Sequence, residues 1–253
     1  MSLSNLDLRI AVLYADRMSI YGDYGNLLAL TNRCHWRGID AQTALISVGD
    51  PLEPGQYDLF LFGGGQDRQQ VLVADDLHRG RGKALIESAE AGAVILAICG
   101  GYQLLGHYYQ PADGPRIPGI GLLDVWTVAG NRRMIGNVII ECDWLEPDTL
   151  VGFENHSGKT YLGKTGEPMG RRVVGCGNNG EDTFEGCRYK NVFGCYLHGP
   201  IMPRNPHFAD LLIRLALRHR YGDVPLAPLD DALEWEAHRA ALARAGIKKE
   251  AAA

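Results

Sequence analysis

Residues 93–105 read AVILAICGGYQLL: six apolar residues, a cysteine, two glycines and a short mixed run. A continuous apolar run of this length fits a central parallel strand covered on both faces. It ends at Cys99, and Gly100-Gly101 begin a helix immediately after it. The residues two positions either side of the cysteine, Ala97 and Gly101, are both small. That is the demand of a nucleophile elbow, a strand-to-helix turn so tight that bulky neighbours would clash. Such a turn exposes the sulfur at the carboxyl edge of the sheet, where open α/β sheets bind ligands. It also sets the thiol over a helix N-terminus, whose dipole and free N–H groups favour thiolate. The competing reading is a cysteine that merely fills the core beside a glycine turn. The order strand, cysteine, double glycine, helix favours chemistry over packing.

Outward from this turn, the first half alternates apolar runs with longer amphipathic segments. Residues 8–14 (LRIAVLY), 41–47 and 58–62 (DLFLF) read as strands, and 25–37 and about 75–91 as helices. In the second half, 125–128, 138–142, 172–174 and 191–197 are short strand candidates among many glycines. Residues 205–221 form a strong helix, with Pro206 at its start and Gly222 after it. A last amphipathic helix covers about 230–245, and residues 1–5 and 248–253 read as dispensable ends. The expected fold is α/β: an open, mostly parallel sheet with helices on both faces, and antiparallel strands added in the second half. One domain is expected over 1–253, with its core at about 8–222.

Composition narrows the function. The 253 residues are 46% hydrophobic and carry a net charge of −5. With no basic run longer than two residues, the clustered cationic surface a nucleic-acid binder needs is not expected. Residues 91–112 lack Asp, Glu, Lys and Arg, but Gly100-Gly101, Gln103 and His107 make them strand, turn and helix rather than a membrane span. No secretory signal is visible, and the expected compartment is the cytoplasm. The six cysteines (34, 99, 142, 176, 187, 195) contain no C-x-x-C pair, so reduced thiols and no metal site are expected.

A thiolate attacking an amide needs donors for the oxyanion and a proton shuttle. The Gly100 N–H and the run Gly63-Gly64-Gly65, leaving a neighbouring strand, are candidates for the first. Of eight histidines, His198 ends a probable strand (VFGCYLHG) and is preferred as the shuttle. His156, in FENHSGKT, is its rival. His35, His78, His207, His219 and His238 lie in polar helical contexts and read as surface residues, while His107 has no assigned chemistry. SGKT at 157–160 imitates the end of a phosphate loop, but Phe153 stands where that motif requires glycine, and no clear strand precedes it.

With elbow, glycine loop and late histidine in this order, the chain resembles a class I glutamine amidotransferase. AICGGYQLLG, GFENHSGKT and CYLHGP are similar to the cobyric-acid-synthase-like branch. SIYGDYGNL (19–27) and FGGGQDRQQ (62–70) narrow the resemblance to the glutaminase subunits of lipid II isoglutaminyl synthases, over about 8–222. The resemblance implies that Cys99 attacks the carboxamide of L-glutamine, with His198 as catalytic partner. It places Gly64 and Gly100 at the oxyanion hole, and Gln103 and Arg133 on the substrate. Arg132 is a near-equal alternative to Arg133; either guanidinium suits an α-carboxylate. Many class I members carry His-Pro-Glu; here His198-Gly199-Pro200 lacks the acid, leaving the orienting group open, with Glu154 and His156 as possible supports. The resemblance further implies a heterodimer with a Mur-ligase-like (MurT-type) synthetase that holds ATP and Mg, this chain carrying no cofactor. The ammonia would amidate the D-glutamate of lipid II to D-isoglutamine. Alternatives are a glutaminase serving a cobyrinic-acid-type or other synthase, or a silent binding module on the same fold.

Overall fold

A computed structural model describes residues 6–19 and 23–247. The expected dispensable ends, and Ile20, Tyr21 and Gly22 of the 19–27 motif, lie outside the described residues. The first half runs β1 (Asp7–Leu13), α1 (Tyr24–His35), β2 (Asp40–Ile46), β3 (Leu59–Phe62), α2 (Asp67–Asp76), α3 (Gly82–Glu90), β4 (Val94–Ile98) and α4 (Gly100–Leu105). It continues as β5 (Tyr108–Gln110), β6 (Ile117–Pro118), β7 (Val125–Glu141), β8 (Thr149–Leu162), β9 (Gly170–Val174) and β10 (Phe184–Glu185). The chain ends with β11 (Cys187–Tyr189), β12 (Val192–Cys195), α5 (Pro206–Tyr221) and α6 (Ala232–Arg244).

The principal sheet has the order β11-β12-β4-β3-β1-β2. All its pairings are parallel except that of β11 with β12. Every residue of β4 is buried, flanked by β3 and β12, as its unbroken apolar run requires. Each buried Val, Leu or Ile of the strand contributes about 1.5–3 kcal/mol. Residues 91–112, free of charge, are indeed strand, turn and helix, and no described helix is long and apolar enough to cross a membrane.

Three expectations need correction. The helix expected over about 75–91 is two helices, α2 starting already at Asp67, separated by a π-helical turn at Leu77–Arg81. Gly80 at φ 127° breaks the helical path there. The short strands at 125–128 and 138–142 are the two ends of one 17-residue strand, β7, irregular between Ala129 and Met134. The polar segment FENHSGKT, read as lacking a strand, lies on β8, in antiparallel register with β7. SGKT is thus extended backbone within a ladder, not a phosphate loop.

The added strands are also more than an extension. β10-β9-β7-β5-β6, with β8 on β7, form a second sheet, and only β11 adds an antiparallel strand to the first. One continuous apolar core nevertheless joins the buried faces of both sheets and α1–α5. α6 docks through Leu242 against Ile139 of β7 and Val151 of β8. Ahead of it, Asp231 accepts from both terminal nitrogens of Arg33 on α1 (2.6 and 2.8 Å), whose Nε donates to Asp210 of α5 (2.7 Å).

Candidate active site

Cys99 stands at φ 54°, ψ −109°. Backbone of this kind costs a non-glycine residue about 1–3 kcal/mol and persists only where its surroundings over-determine it. Here the Cys99 N–H donates to the Cys195 carbonyl of β12 (2.9 Å), and the Cys99 carbonyl accepts from Gln103 (3.0 Å). Gly101 N–H donates to Gly63 O (3.1 Å). A Cβ on Gly101 would stand 2.5 Å from the Phe62 carbonyl, so the small residue expected after the elbow is required by β3 alongside.

The carboxyl ends of β3, β4 and β12 therefore bring together the glycine run, Cys99 and His198. A Cβ placed on Gly64 would lie 3.6 Å from Cys99 Sγ and 3.5 Å from His198 Cε1, so both side chains face that glycine. His198 is 1% exposed and is held by reciprocal backbone hydrogen bonds with Phe153 of β8. Its Nδ1 lies 3.7 Å from Asp23 Oδ1, an ion-pair distance. Burial pulls the imidazole toward neutrality, but Asp23 and the Cys99 sulfur outweigh it and hold its pKa up at about 9. Asp23, just ahead of α1, fills the place of the acid missing after His198. It belongs to the SIYGDYGNL motif, yet nothing local marks it as a histidine partner 175 positions away (198 − 23).

Asp23 also alters the glycine assignment. Its Oδ2 accepts from the Gly64 N–H at 2.9 Å, so that donor serves the carboxylate rather than an open oxyanion site. Gly65, not Gly64, lines the cavity in front of Cys99.

That cavity, about 430 Å³, is bounded on one side by Gln66, Asp67, Arg68 and Gln70 around the start of α2. Arg133 of β7 and Asn155, His156, Ser157 and Gly158 of β8 bound it from the second sheet. Arg133 lines it and Arg132 does not; Arg133 Nε donates to Asn155 Oδ1 at 2.7 Å. Gln103 also borders the cavity, but its carboxamide is engaged internally: Oε1 accepts from Gln70 (3.1 Å) and Nε2 donates to Tyr196 (3.0 Å). Through these bonds it braces the floor of the cavity.

His156 stacks on Tyr196 with ring centroids 3.6 Å apart, and its Nδ1 lies 2.8 Å from the Gly158 carbonyl. Burial drops its pKa to about 4, so it is neutral where His198 is charged. Glu154 turns from the cavity and accepts from the N–H groups of Cys176 (2.7 Å) and Gly177 (2.9 Å), pinning that loop behind β8. Burial raises its pKa. His107 sits 2.8 Å from Asp124 and is not part of the cavity wall. His207 of α5 and His238 of α6, read as surface residues, pack against each other between those helices, with His238 only 2% exposed.

A parallel sheet whose central strand ends in a cysteine elbow, with a histidine three residues past the end of the next strand, has the architecture of a class I glutamine amidotransferase. Sequence comparison agrees and is more specific: residues 9–206 match the CobB/CobQ-like glutamine amidotransferase domain. The chain belongs to that family and is a glutamine-hydrolysing enzyme. It is 42% identical over 231 residues to the lipid II isoglutaminyl synthase (glutamine-hydrolyzing) subunit GatD of Streptococcus pneumoniae, covering 90% of this chain and 88% of that one. To the subunit of the same name from Staphylococcus aureus it is 37% identical, covering 96% and 98%. A probable cobyric acid synthase of Methanopyrus kandleri is 31% identical, but the match spans only 38% of it. Among solved structures, a glutamine amidotransferase from Thermotoga maritima shares the fold, with TM-score 0.53 and 18% identity over 94% of each chain.

Proposed function

We propose that this chain is the glutaminase subunit of a lipid II isoglutaminyl synthase, with Cys99 as nucleophile and His198 as its proton shuttle. The observation that carries this reading is the strained Cys99 beside a buried, acid-backed His198 at the edge of the cavity. Likeness to two GatD subunits over almost the whole chain supports the choice of complex.

In this reading the Cys99 thiolate adds to the side-chain carbonyl of L-glutamine, and the tetrahedral oxyanion is met by backbone amides, Gly100 among them. Imidazolium His198 protonates the departing nitrogen, the C–N bond breaks, and ammonia leaves a γ-glutamyl thioester on Cys99. Neutral His198 then takes a proton from water, which attacks the thioester and releases glutamate and the thiolate. Asp23 keeps the imidazole oriented and stabilises its cation, as acids behind catalytic histidines do. Arg133 pairs with the substrate α-carboxylate. Gly64 belongs to the oxyanion loop as the residue that ties this loop to Asp23.

The ammonia goes to a Mur-ligase-like (MurT-type) synthetase subunit in a heterodimer, where ATP and Mg activate the D-glutamate carboxyl of lipid II. Amidation there yields D-isoglutamine, and the use of ATP fits a cytoplasmic complex. The test is ammonia release from L-glutamine by the native complex and by one carrying Cys99→Ala. Loss of release with an unchanged circular dichroism spectrum and intact subunit pairing is expected; undiminished release overturns the assignment. Capture of a partner other than a Mur-ligase-like subunit would overturn the choice of complex alone.

A further inference from the structure

Two nitrogens set L-glutamine apart from glutamate and from deaminated analogues: its α-ammonium and its carboxamide NH2. Both ask for acceptors, whereas Arg133 answers only the α-carboxylate. Asp67 is the single carboxylate among the described residues that line the Cys99 cavity. It occupies the first position of α2, where the Tyr109 hydroxyl donates to its Oδ2 at 3.4 Å. Three residues on, and so on the same helix face, Gln70 lines the cavity too and is 2% exposed.

The orientation of Gln70 is determined by its partners. Its Nε2 donates to the Gly65 carbonyl (3.2 Å) and to Gln103 Oε1 (3.1 Å). The Gly65 carbonyl can only accept, so the Gln70 amide nitrogen must face it. Gln70 Oε1 is consequently a buried acceptor with no hydrogen-bond partner. A buried acceptor at the border of a cavity is a place for a donor from the cavity side, a water or a ligand N–H. Gln70 is also close to the reacting end: a Cβ on Gly100, next to the nucleophile, would lie 3.2 Å from its Nε2.

We infer that the cavity face of α2 reads the two nitrogens of the substrate, Asp67 pairing with the α-ammonium and Gln70 Oε1 accepting from the carboxamide. This rests on the proposal that L-glutamine occupies the Cys99 cavity. Asp67 and Gln70 lie on α2 and Arg133 across from them on the second sheet, while Arg68 adds a second guanidinium to the cavity wall beside Asp67. After hydrolysis, the side-chain carboxylate of glutamate sets an oxygen against Gln70 Oε1, acceptor against acceptor, which favours product release.

The test compares the KM for L-glutamine with the Ki of glutaramate, the same molecule without its α-amino group, in the native complex. With Asp67→Asn, the KM for glutamine is expected to rise roughly 10- to 100-fold, the worth of a charge-assisted hydrogen bond, while the glutaramate Ki stays put. Asp67→Glu should recover most of the preference. A parallel loss on both ligands would mean that Asp67 only supports α2, and an unmoved KM would mean that it does not meet the ammonium; either overturns the inference. Gln70→Leu should weaken both ligands, and its failure to do so removes Gln70 from the site. Wild-type complex that does not hydrolyse glutamine would instead overturn the parent reading.

Discussion

Cys99 combines two burdens at one residue, the sulfur of the proposed nucleophile and a backbone conformation that suits glycine. With the sulfur removed, only the second remains, so Cys99→Gly and Cys99→Ala should both be inactive but differ in stability. The glycine variant should be more stable by about 1–2 kcal/mol, read from urea unfolding, because it adopts positive φ without strain. His198 carries the complementary charge. Its pKa of about 9 lies above the ordinary 6.5, so the stability it contributes is fully present below pH 6.5 and is lost as pH rises through about 9. Asp23→Asn should lower the imidazole pKa, visible by NMR titration. It should also cut ammonia release roughly a hundredfold or more, since a general acid–base group is worth about 10²–10⁴ in rate. An unmoved His198 titration in that variant would remove Asp23 from its positioning role.

Among the elements, β8 shows how a site can hide a strand. Its inward residues Glu154, His156, Gly158 and Thr160 are buried, and none is an ordinary aliphatic core residue. The alternation is present, but with polar groups turned in, because this face walls the cavity and its supporting loop. α6 is docked by a different device. His207 stacks on Trp235 (5.0 Å), and His238 sits 2.7 Å from the Arg204 carbonyl and 3.0 Å from Thr149 Oγ1. Burial lowers the pKa of both, His207 to about 4; at His207 the His238 ring and Arg33 add to it against the Thr149 carbonyl and Asp210, and at His238 Arg239 and Arg204 add to it against the Arg204 carbonyl. The stability His207 contributes is therefore present above pH 6.5 and is lost as pH falls toward 4, and His238 acts in the same direction. Amide exchange in 232–244 should accelerate over that range before exchange in β4 does. Simultaneous loss of protection in both would show that α6 has no separate acid sensitivity.

Across the whole molecule, Arg33 ties three separate parts together: α1, α5 through Asp210, and the chain entering α6 through Asp231. Its side chain is 4% exposed. Arg33→Met leaves Asp231 without this partner, while Arg37 still reaches Asp210 at 2.6 Å. A loss of about 3 kcal/mol is expected in urea unfolding, at the lower end for a broken buried pair because the carboxylates are partly exposed. The long-range ties of the site obey the same logic. Asp23 precedes α1, Cys99 ends β4 and His198 comes after β12, and only the order β12-β4-β3-β1 sets them side by side. The cavity needs the second sheet as well, since Arg133 and Asn155 come from β7 and β8.

What the sequence by itself determined was whatever depends on neighbours along the chain. Small residues flanking Cys99, the apolar run of β4 and the Pro206 and Gly222 ends of α5 are local steric and burial requirements, each written within a few positions. His198 was singled out from the apolar run before it, although the strand itself stops at Cys195. Tertiary structure alone decided that Asp23 backs His198, that Gly64 serves Asp23, and that Gln103 faces inward to Gln70 and Tyr196. It also decided that Asp67 joins Arg133 around one cavity. The physical reason is that a hydrogen bond or ion pair is set by distance in space. Those distances exist only after strands far apart in the chain have packed into a common edge.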